Sequence, residues 1–258
     1  FEACFTVWAQ SFVEAFDREV VAIDGKTVRR SFDRGRAQGP LHLVSAWASG
    51  QGLALGQRAV DGKSNEITAI PALLKTLSLK NSIVTLDAMG CQKTIAGRIL
   101  ERGADYLLVL KANHGKAFLA VQECCEQHCF ARGATAKAVF DAFDDSHGRV
   151  VRRRVFVCPQ AASLEALRTW PGLHTVLAVE TIRSVNGSGK VEAEIRYFLA
   201  SCRDDPTMLI QAIRRHWTIE NGLHWVLDVT FREDDNRVRD RIAARNLAIL
   251  RKIAINLI

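Results

Sequence analysis

The sequence predicts an α/β layered domain built on a mixed sheet, and three observations carry that prediction. Three apolar, strand-length runs open the fold, strand and helix patterns then alternate, and a β-rich stretch precedes a closing pair of amphipathic helices. The first run, Glu19 to Lys26 (EVVAIDGK), is apolar until it stops at Asp24-Gly25, the way a buried strand delivers a carboxylate to a sheet edge. Leu41 to Ser49 and Leu53 to Val60 follow, joined by Gly50-Gln51-Gly52, which is short enough for a hairpin. Three successive antiparallel strands are therefore expected.

Asn65 is placed to cap a helix through Ile67, Ile70, Leu73, Leu74 and Leu77, whose spacing is helical. Ser82 to Leu86 is another buried-strand pattern and ends at Asp87. Gln92 to Arg102 reads as helix, Asp105 to Lys111 as strand, and Lys116 to Gln127 as helix. Ala138 to Phe143, Arg149 to Cys158, His174 to Ser184 and Val191 to Ala200 carry β-formers, with Asn186-Gly187-Ser188-Gly189 as a hairpin loop. Pro206 to Leu227 and Arg237 to Ile258 return to helix, the latter expected to bury Ile242, Ile249, Leu250, Ile253 and Leu257. Residues 130–203 thus read as a β-rich insertion between a core beginning at 19–129 and its C-terminal helices at 204–258.

The 258 residues are 48% hydrophobic and 24% charged, an ordinary globular composition. A chain of this length buries a core without disulfide or metal staples. No apolar stretch approaches the ~20 residues of a membrane-spanning helix, and the opening residues are not a secretory signal. Seven irregularly spaced cysteines suit reduced thiols, so a cytoplasmic protein is expected. The net charge of +7 favours a polyanionic partner. The chain opens at Phe1, inside an amphipathic helical pattern, which predicts further residues upstream.

Asp24 and Asp87 each follow an apolar strand. On neighbouring strands they would lie side by side and repel unless a cation sat between them. Carboxylates are hard ligands, so Mg²⁺ or Mn²⁺ is the expected ion, and a third acid from a covering helix would complete two metal positions suited to in-line phosphoryl transfer. The plainer reading makes Asp24 the start of a turn and Asp87 the cap of a helix near Met89. The third acid is sought between Arg214 and Asp228, where Trp217, Glu220, His224 and Asp228 fall on one polar stripe and Ile213, Leu223 and Leu227 mark the apolar side. A surface ion pair is the commoner fate of such a glutamate.

VVAIDGKTVR, KSNEITAIPALL, IVTLDAMGCQ, DYLLVLKANH and HWTIENGLHWVLDVTFREDDNRVR followed by NLAILRKIAINL together resemble DDE-type insertion-sequence transposases, of the group that includes the H-repeat-associated proteins. The resemblance runs from about Glu19 to Leu257. It implies a bacterial protein with a ribonuclease-H-like core, binding two divalent ions through Asp24, Asp87 and Glu220. It further implies cleavage of DNA at insertion-sequence ends, joining of those ends to target DNA, pairing of two subunits on DNA, and residence in the cytoplasm with the nucleoid. Residues 1–18 would be the remnant of a preceding helical region, implying a truncated protein. Related transposases with Tyr-x₂-Arg-x₃-Glu-x₆-Lys on the third-acid helix are matched only at Glu220, because Ile213, His216 and Leu227 hold the other places. Trp217, His224 and Asp228 fit the narrower group.

Expected DNA contacts are Lys26, Arg29, Arg30, Lys111, Lys116, Arg214 and Arg215, with Trp217 and His224 beside the third acid; Arg149 and Arg152 to Arg154 are further backbone candidates. Cys124-Cys125-Glu126-Gln127-His128-Cys129 has ligand-type residues but no second pair at zinc-finger spacing, so buried helix cysteines are the expectation. His216, Glu220 and His224 lack the His-Glu-x-x-His order of zinc proteases. Two rival readings are a ribonuclease-H-like nuclease that does not join strands, and a catalytically inactive remnant that only binds DNA.

Overall fold

The computed structural model describes residues 1–12, 17–60, 65–131, 133–134, 136–146, 149–185, 191–203 and 205–258. The expected loop Asn186-Gly187-Ser188-Gly189 lies outside the described residues. In chain order the principal elements are α1 (Glu2–Ser11), β1 (Val20–Val28), β2 (Leu41–Ala48), β3 (Leu53–Ala59), α2 (Glu66–Thr76), β4 (Ile83–Leu86), α3 (Lys93–Glu101), β5 (Asp105–Leu110) and α4 (Gly115–Cys125). They continue with β6 (Phe140–Ser146), β7 (Arg149–Val157), α5 (Pro159–Ala162), β8 (Thr175–Val185), β9 (Val191–Ala200), α6 (Pro206–His216), α7 (Trp225–Val229) and α8 (Arg241–Leu257). Among the described residues no helix is long and apolar enough to cross a membrane.

The chain divides into two compact units, one formed by residues 1–105 with 212–258 and the other by residues 106–211. In the first unit the strand order is β3-β2-β1-β4. β1 is antiparallel to β2 and parallel to β4, so the sheet is mixed. Val20 to Ile23 are all buried, as a strand covered on both faces requires. Phe5 and Ala9 of α1, Ala22, Trp47 and Ala54 of the sheet, and Ile219, Leu223, Leu227 and Ile249 from the C-terminal segment form one buried cluster. In the second unit β5-β9-β8-β7-β6 are neighbours, each pair antiparallel.

Several local expectations are corrected. β1 does not stop at Asp24-Gly25 but runs on to Val28, because Asp24 pairs with Ser45 and Lys26 with Leu43 in the β2 ladder. Asn65 precedes α2, but its side chain makes no capping bond; its carbonyl accepts from Thr68 instead. The closing helix buries Ala244, Ala248, Ile249 and Lys252, while Ile242, Leu250 and Leu257 are exposed. Small residues let α8 approach the sheet closely, and the aliphatic stem of Lys252 serves as apolar surface while its ammonium donates to Gln57 Oε1 at 2.9 Å. The single helix expected over Pro206 to Leu227 is interrupted by a π-helical segment, Ile219–His224.

A candidate carboxylate centre for phosphoryl transfer

The parallel pairing of β1 with β4 ends at Ile23 beside Leu86, so the next residues, Asp24 and Asp87, leave neighbouring strands at equivalent positions. Equivalent positions on adjacent strands face the same side of a sheet. Ala22 and Thr85, two residues earlier, share that side. There Ala22 joins the cluster with Ile219 and Leu223, and Thr85 Oγ1 lies 2.9 Å from His216 Nδ1. The C-terminal segment therefore covers the face from which both aspartates emerge. Asp87 Oδ1 accepts from the amides of Met89 (3.0 Å) and Gly90 (3.2 Å), while α3 begins only at Lys93.

Glu220 sits in the π-helical segment, a backbone irregularity frequent at functional sites. The segment is wedged against Trp47. The Trp47 Nε1–H donates to Thr218 Oγ1 at 3.2 Å, and a Cβ on Gly222 would come within 2.8 Å of the indole. Glycine is required there by space. Leu223 and Leu227 are buried and Ile213 is half-buried, as the apolar side of the segment should be. Trp217 and Glu220 are exposed.

Burial, then the negative charges of Glu66, Asp87 and Glu220, push the Asp24 carboxyl up to about 7, against a hydrogen bond from Gly25 N–H. The three predicted acids therefore share one electrostatic field, although among the described residues only a cysteine trio brings three ligand atoms within 4.8 Å of one another. Glu66 was not legible from motif spacing. It approaches β1 over Gly25, where a Cβ would overlap its carboxylate, and His42 Nε2–H donates to its Oε1 at 2.7 Å. His42 Nδ1 is 2.8 Å from Thr27 Oγ1, its partner in the β1–β2 register. The available signal for Glu66 was its place in the KSNEITAIPALL segment of the family resemblance.

His224 Nδ1 lies 3.5 Å from Asp24 Oδ2, and its Nε2 is buried without a hydrogen-bond partner. Burial, reinforced by Lys252, Lys26 and His42, pushes His224 down to about 3, so a neutral imidazole faces Asp24. Lys26 emerges two residues beyond Asp24 and is paired with Asp228 (2.6 Å), Glu233 (3.2 Å) and Asp234 (3.4 Å). Burial works against its charge, but these acids outweigh it and hold Lys26 above the ordinary lysine value. Its Nζ is enclosed, with the side chain only 10% exposed.

The other expected contacts fall into two groups. Arg29 and Arg30 are exposed and pair with Asp234 and Asp235. Arg214 is exposed and Arg215 half-buried. Beside them in the sheet unit lies a surface cavity of about 380 Å³ lined by Arg30, Phe32, Arg34, Gly35, Arg237 and Arg239. Arg34, Arg237 and Arg239 were not singled out from the sequence, because they come together only when the β1–β2 connection meets the segment before α8. In the second unit, Lys111 and Lys116 are exposed, whereas Arg152, Arg153 and Arg154 pair with Asp141, Asp144 and Glu180.

A mixed sheet, antiparallel between β1 and β2 and parallel between β1 and β4, with helices against it, is the architecture of a ribonuclease-H-like domain. The chain belongs to the transposase DDE domain family, whose profile matches residues 15–257. It is 41% identical to "Putative transposase YncI" of Escherichia coli O157:H7, with all of this chain and 66% of that protein aligned. It is 39% identical to "H repeat-associated putative transposase YhhI" of Escherichia coli K12, again over the whole chain and 68% of the relative. The chain thus spans about two thirds of the length of these relatives. Among solved structures it resembles a piggyBac transposase synaptic complex with hairpin DNA, with a TM-score of 0.51 at 12% identity, covering 92% of this chain and 46% of that one. That likeness establishes the ribonuclease-H-like fold.

The burial of Asp24 among other acids has a measurable consequence. A carboxyl whose value rises from 3.8 to about 7 on folding penalises the folded state increasingly as pH climbs between those values. In metal-free buffer at pH 8, Asp24→Asn should therefore be the more stable chain by roughly 4 kcal/mol. The gain should shrink as pH falls below 7 and disappear under about 4, where Asp24 is protonated in folded and unfolded chains alike. Urea unfolding across that range measures it; equal stability of the two chains at pH 8 would mean that neither burial nor the neighbouring acids penalise the Asp24 carboxylate.

Proposed function

We propose that this chain is the catalytic part of an insertion-sequence transposase that cuts DNA at the element's ends and joins them to target DNA. The observation that carries the reading is the Asp24 carboxyl, raised by burial and by the charges of Asp87, Glu220 and Glu66. Such a group of acids is poorly compensated by protein alone, and its oxygen donors fit a hard divalent cation, Mg²⁺ or Mn²⁺. Asp24, Asp87 and Glu220 would hold two such ions. When bound, they supply the positive charge and Lewis acidity on which phosphoryl transfer at a phosphodiester depends.

The chain's own residues prepare that site. The β1–β4 register fixes the two aspartates, and the Met89 and Gly90 amides orient Asp87. Thr85 and His216 tie the third-acid segment to β4, and Trp47 with Thr218 ties it to β2. The neutral His224 supports Asp24 without adding charge. In the reaction, water attacks a scissile phosphorus and the P–O bond to the 3′ oxygen breaks, leaving a 3′-hydroxyl and a 5′-phosphate. The freed 3′-hydroxyl then attacks a target phosphodiester, releasing a new 3′-hydroxyl there.

DNA backbone binding in this reading falls to the exposed cations Arg29, Arg30 and Arg214, the half-buried Arg215, the arginines of the cavity beside Phe32, and Lys111 and Lys116 in the second unit. Trp217 offers an exposed indole next to the third acid. Lys26 is satisfied by its three acids and serves chiefly to hold the segment after Asp228 against β1. Pairing of two subunits on two DNA ends, and association with the bacterial nucleoid, belong to the same proposal.

Two experiments test it. With Mg²⁺ or Mn²⁺ and DNA carrying the element's ends, the parent chain should nick and join strands, while Asp87→Asn should lose both by at least a hundredfold and keep its DNA affinity. Nicking without joined product would favour a simple nuclease, and nicking retained by Asp87→Asn would sink the site assignment. Replacing Arg237 and Arg239 together by Ala should weaken binding to all sequences alike and reduce the slope of log K against log salt by about 2. An unchanged slope would remove that cavity from the DNA interface.

A further inference from the structure

Four of the seven cysteines, from separate stretches of sequence, meet inside the second unit. Cys124 and Cys125 end α4, Cys129 follows in a π-helical turn (Glu126–Phe130), and Cys158 arrives between β7 and α5. All four are buried. The ligand atoms of Cys125, Cys129 and Cys158 lie within 4.8 Å of one another, and among the described residues no other trio of His, Cys, Asp or Glu does so. Cys124 Sγ is 3.8 Å from Cys158 Sγ. Cys158 supplies the distant sulfur that zinc-finger spacing around Cys124 to Cys129 lacks.

We infer that Cys125, Cys129 and Cys158 form a binding site for Zn²⁺, with the fourth position left to another ligand. Thiolate sulfur selects soft or borderline ions, and tetrahedral zinc with Zn–S bonds of ≈ 2.3 Å sets its sulfurs roughly 3.8 Å apart. The sulfurs of Cys125, Cys129 and Cys158, all within 4.8 Å of one another, lie close to that edge. A disulfide would need sulfurs at about 2.05 Å. The surrounding shell is aromatic, with Phe130 edge-on to Phe156 at 4.9 Å and Phe118 edge-on to Tyr197 at 5.6 Å. Burial, with the charges of Cys125, Glu126 and Cys129, pushes the Tyr197 hydroxyl up to about 12. Binding replaces the thiol protons by the ion, releasing them to solvent. The ion would join the α4 end to the β7–α5 turn, a structural role separate from the carboxylate centre and independent of the proposal made for it.

The full chain, purified reduced and without chelator, should carry one zinc per chain. X-ray absorption at the zinc edge should give at least three sulfur ligands at about 2.3 Å. Cys158→Ser should lose the metal at least tenfold, while Cys4→Ser, at an exposed position in α1, should keep it. Should Cys158→Ser not fold, the absorption spectrum of the parent chain decides alone, since three sulfurs around one ion identify the only such trio among the described residues. A folded, reduced parent chain that takes up no zinc, a disulfide within the cluster, or ligation by oxygen and nitrogen alone would each overturn the inference.

Discussion

Burial of Asp24 under the charges of Glu66, Asp87 and Glu220 is the constraint on which the arrangement turns. Water would relieve it, but the strands that carry Asp24 and Asp87 are buried up to Ile23 and Leu86, and the C-terminal segment packs on the same face. The protein answers partly with geometry. Parallel pairing up to Ile23 and Leu86 fixes where the two aspartates leave the sheet, whatever their charges prefer. Hydrophobic burial of Ala22, Trp47, Ile219 and Leu223 then holds the glutamate-bearing segment in place. Core packing thus maintains an unfavourable electrostatic arrangement, as sites prepared for a cation commonly do.

The neighbouring groups show how the unit balances its charge. Lys26, close to Asp24 in sequence, is taken up by Asp228, Glu233 and Asp234. Arg251 also pairs with Glu233 at 3.3 Å. His224 stays neutral, because burial and nearby cations oppose its protonation. Lys26 and Arg251 are thus committed to acids of the C-terminal segment, and His224 is kept uncharged. Asp24 is left under the charges of Glu66, Asp87 and Glu220, which in the proposed reading suits an incoming cation.

Much of this was legible in the sequence. The long apolar strands, the β2–β3 hairpin and the switch to alternating strand and helix follow from periodicity alone, and they bring Asp24 and Asp87 to one edge. What escaped depended on register and on distant segments. Asp24-Gly25 looks like a strand end, yet ladder partners on β2 carry β1 onward to Val28. The π-helical turn at Glu220 has no signature of its own, since Trp47 against Gly222 shapes it. Glu66 reaches the site because Gly25 leaves room for it. In α8, the largest apolar side chains drew attention, while alanines and the stem of Lys252 make the contact. Cys158 joins the α4 cysteines through the fold and not through any spacing.

The central claim is that Asp24, Asp87 and Glu220 form a hard-cation site in the chain as it stands. Calorimetric titration of Mn²⁺ into the reduced chain and into Asp87→Asn, at pH 8 and again at pH 6, tests it most directly. The account predicts binding by the parent chain at pH 8, weaker binding at pH 6 where Asp24 holds its proton, and none by the variant. A folded parent chain that binds no Mn²⁺, or a variant that binds it as well as the parent, would contradict it.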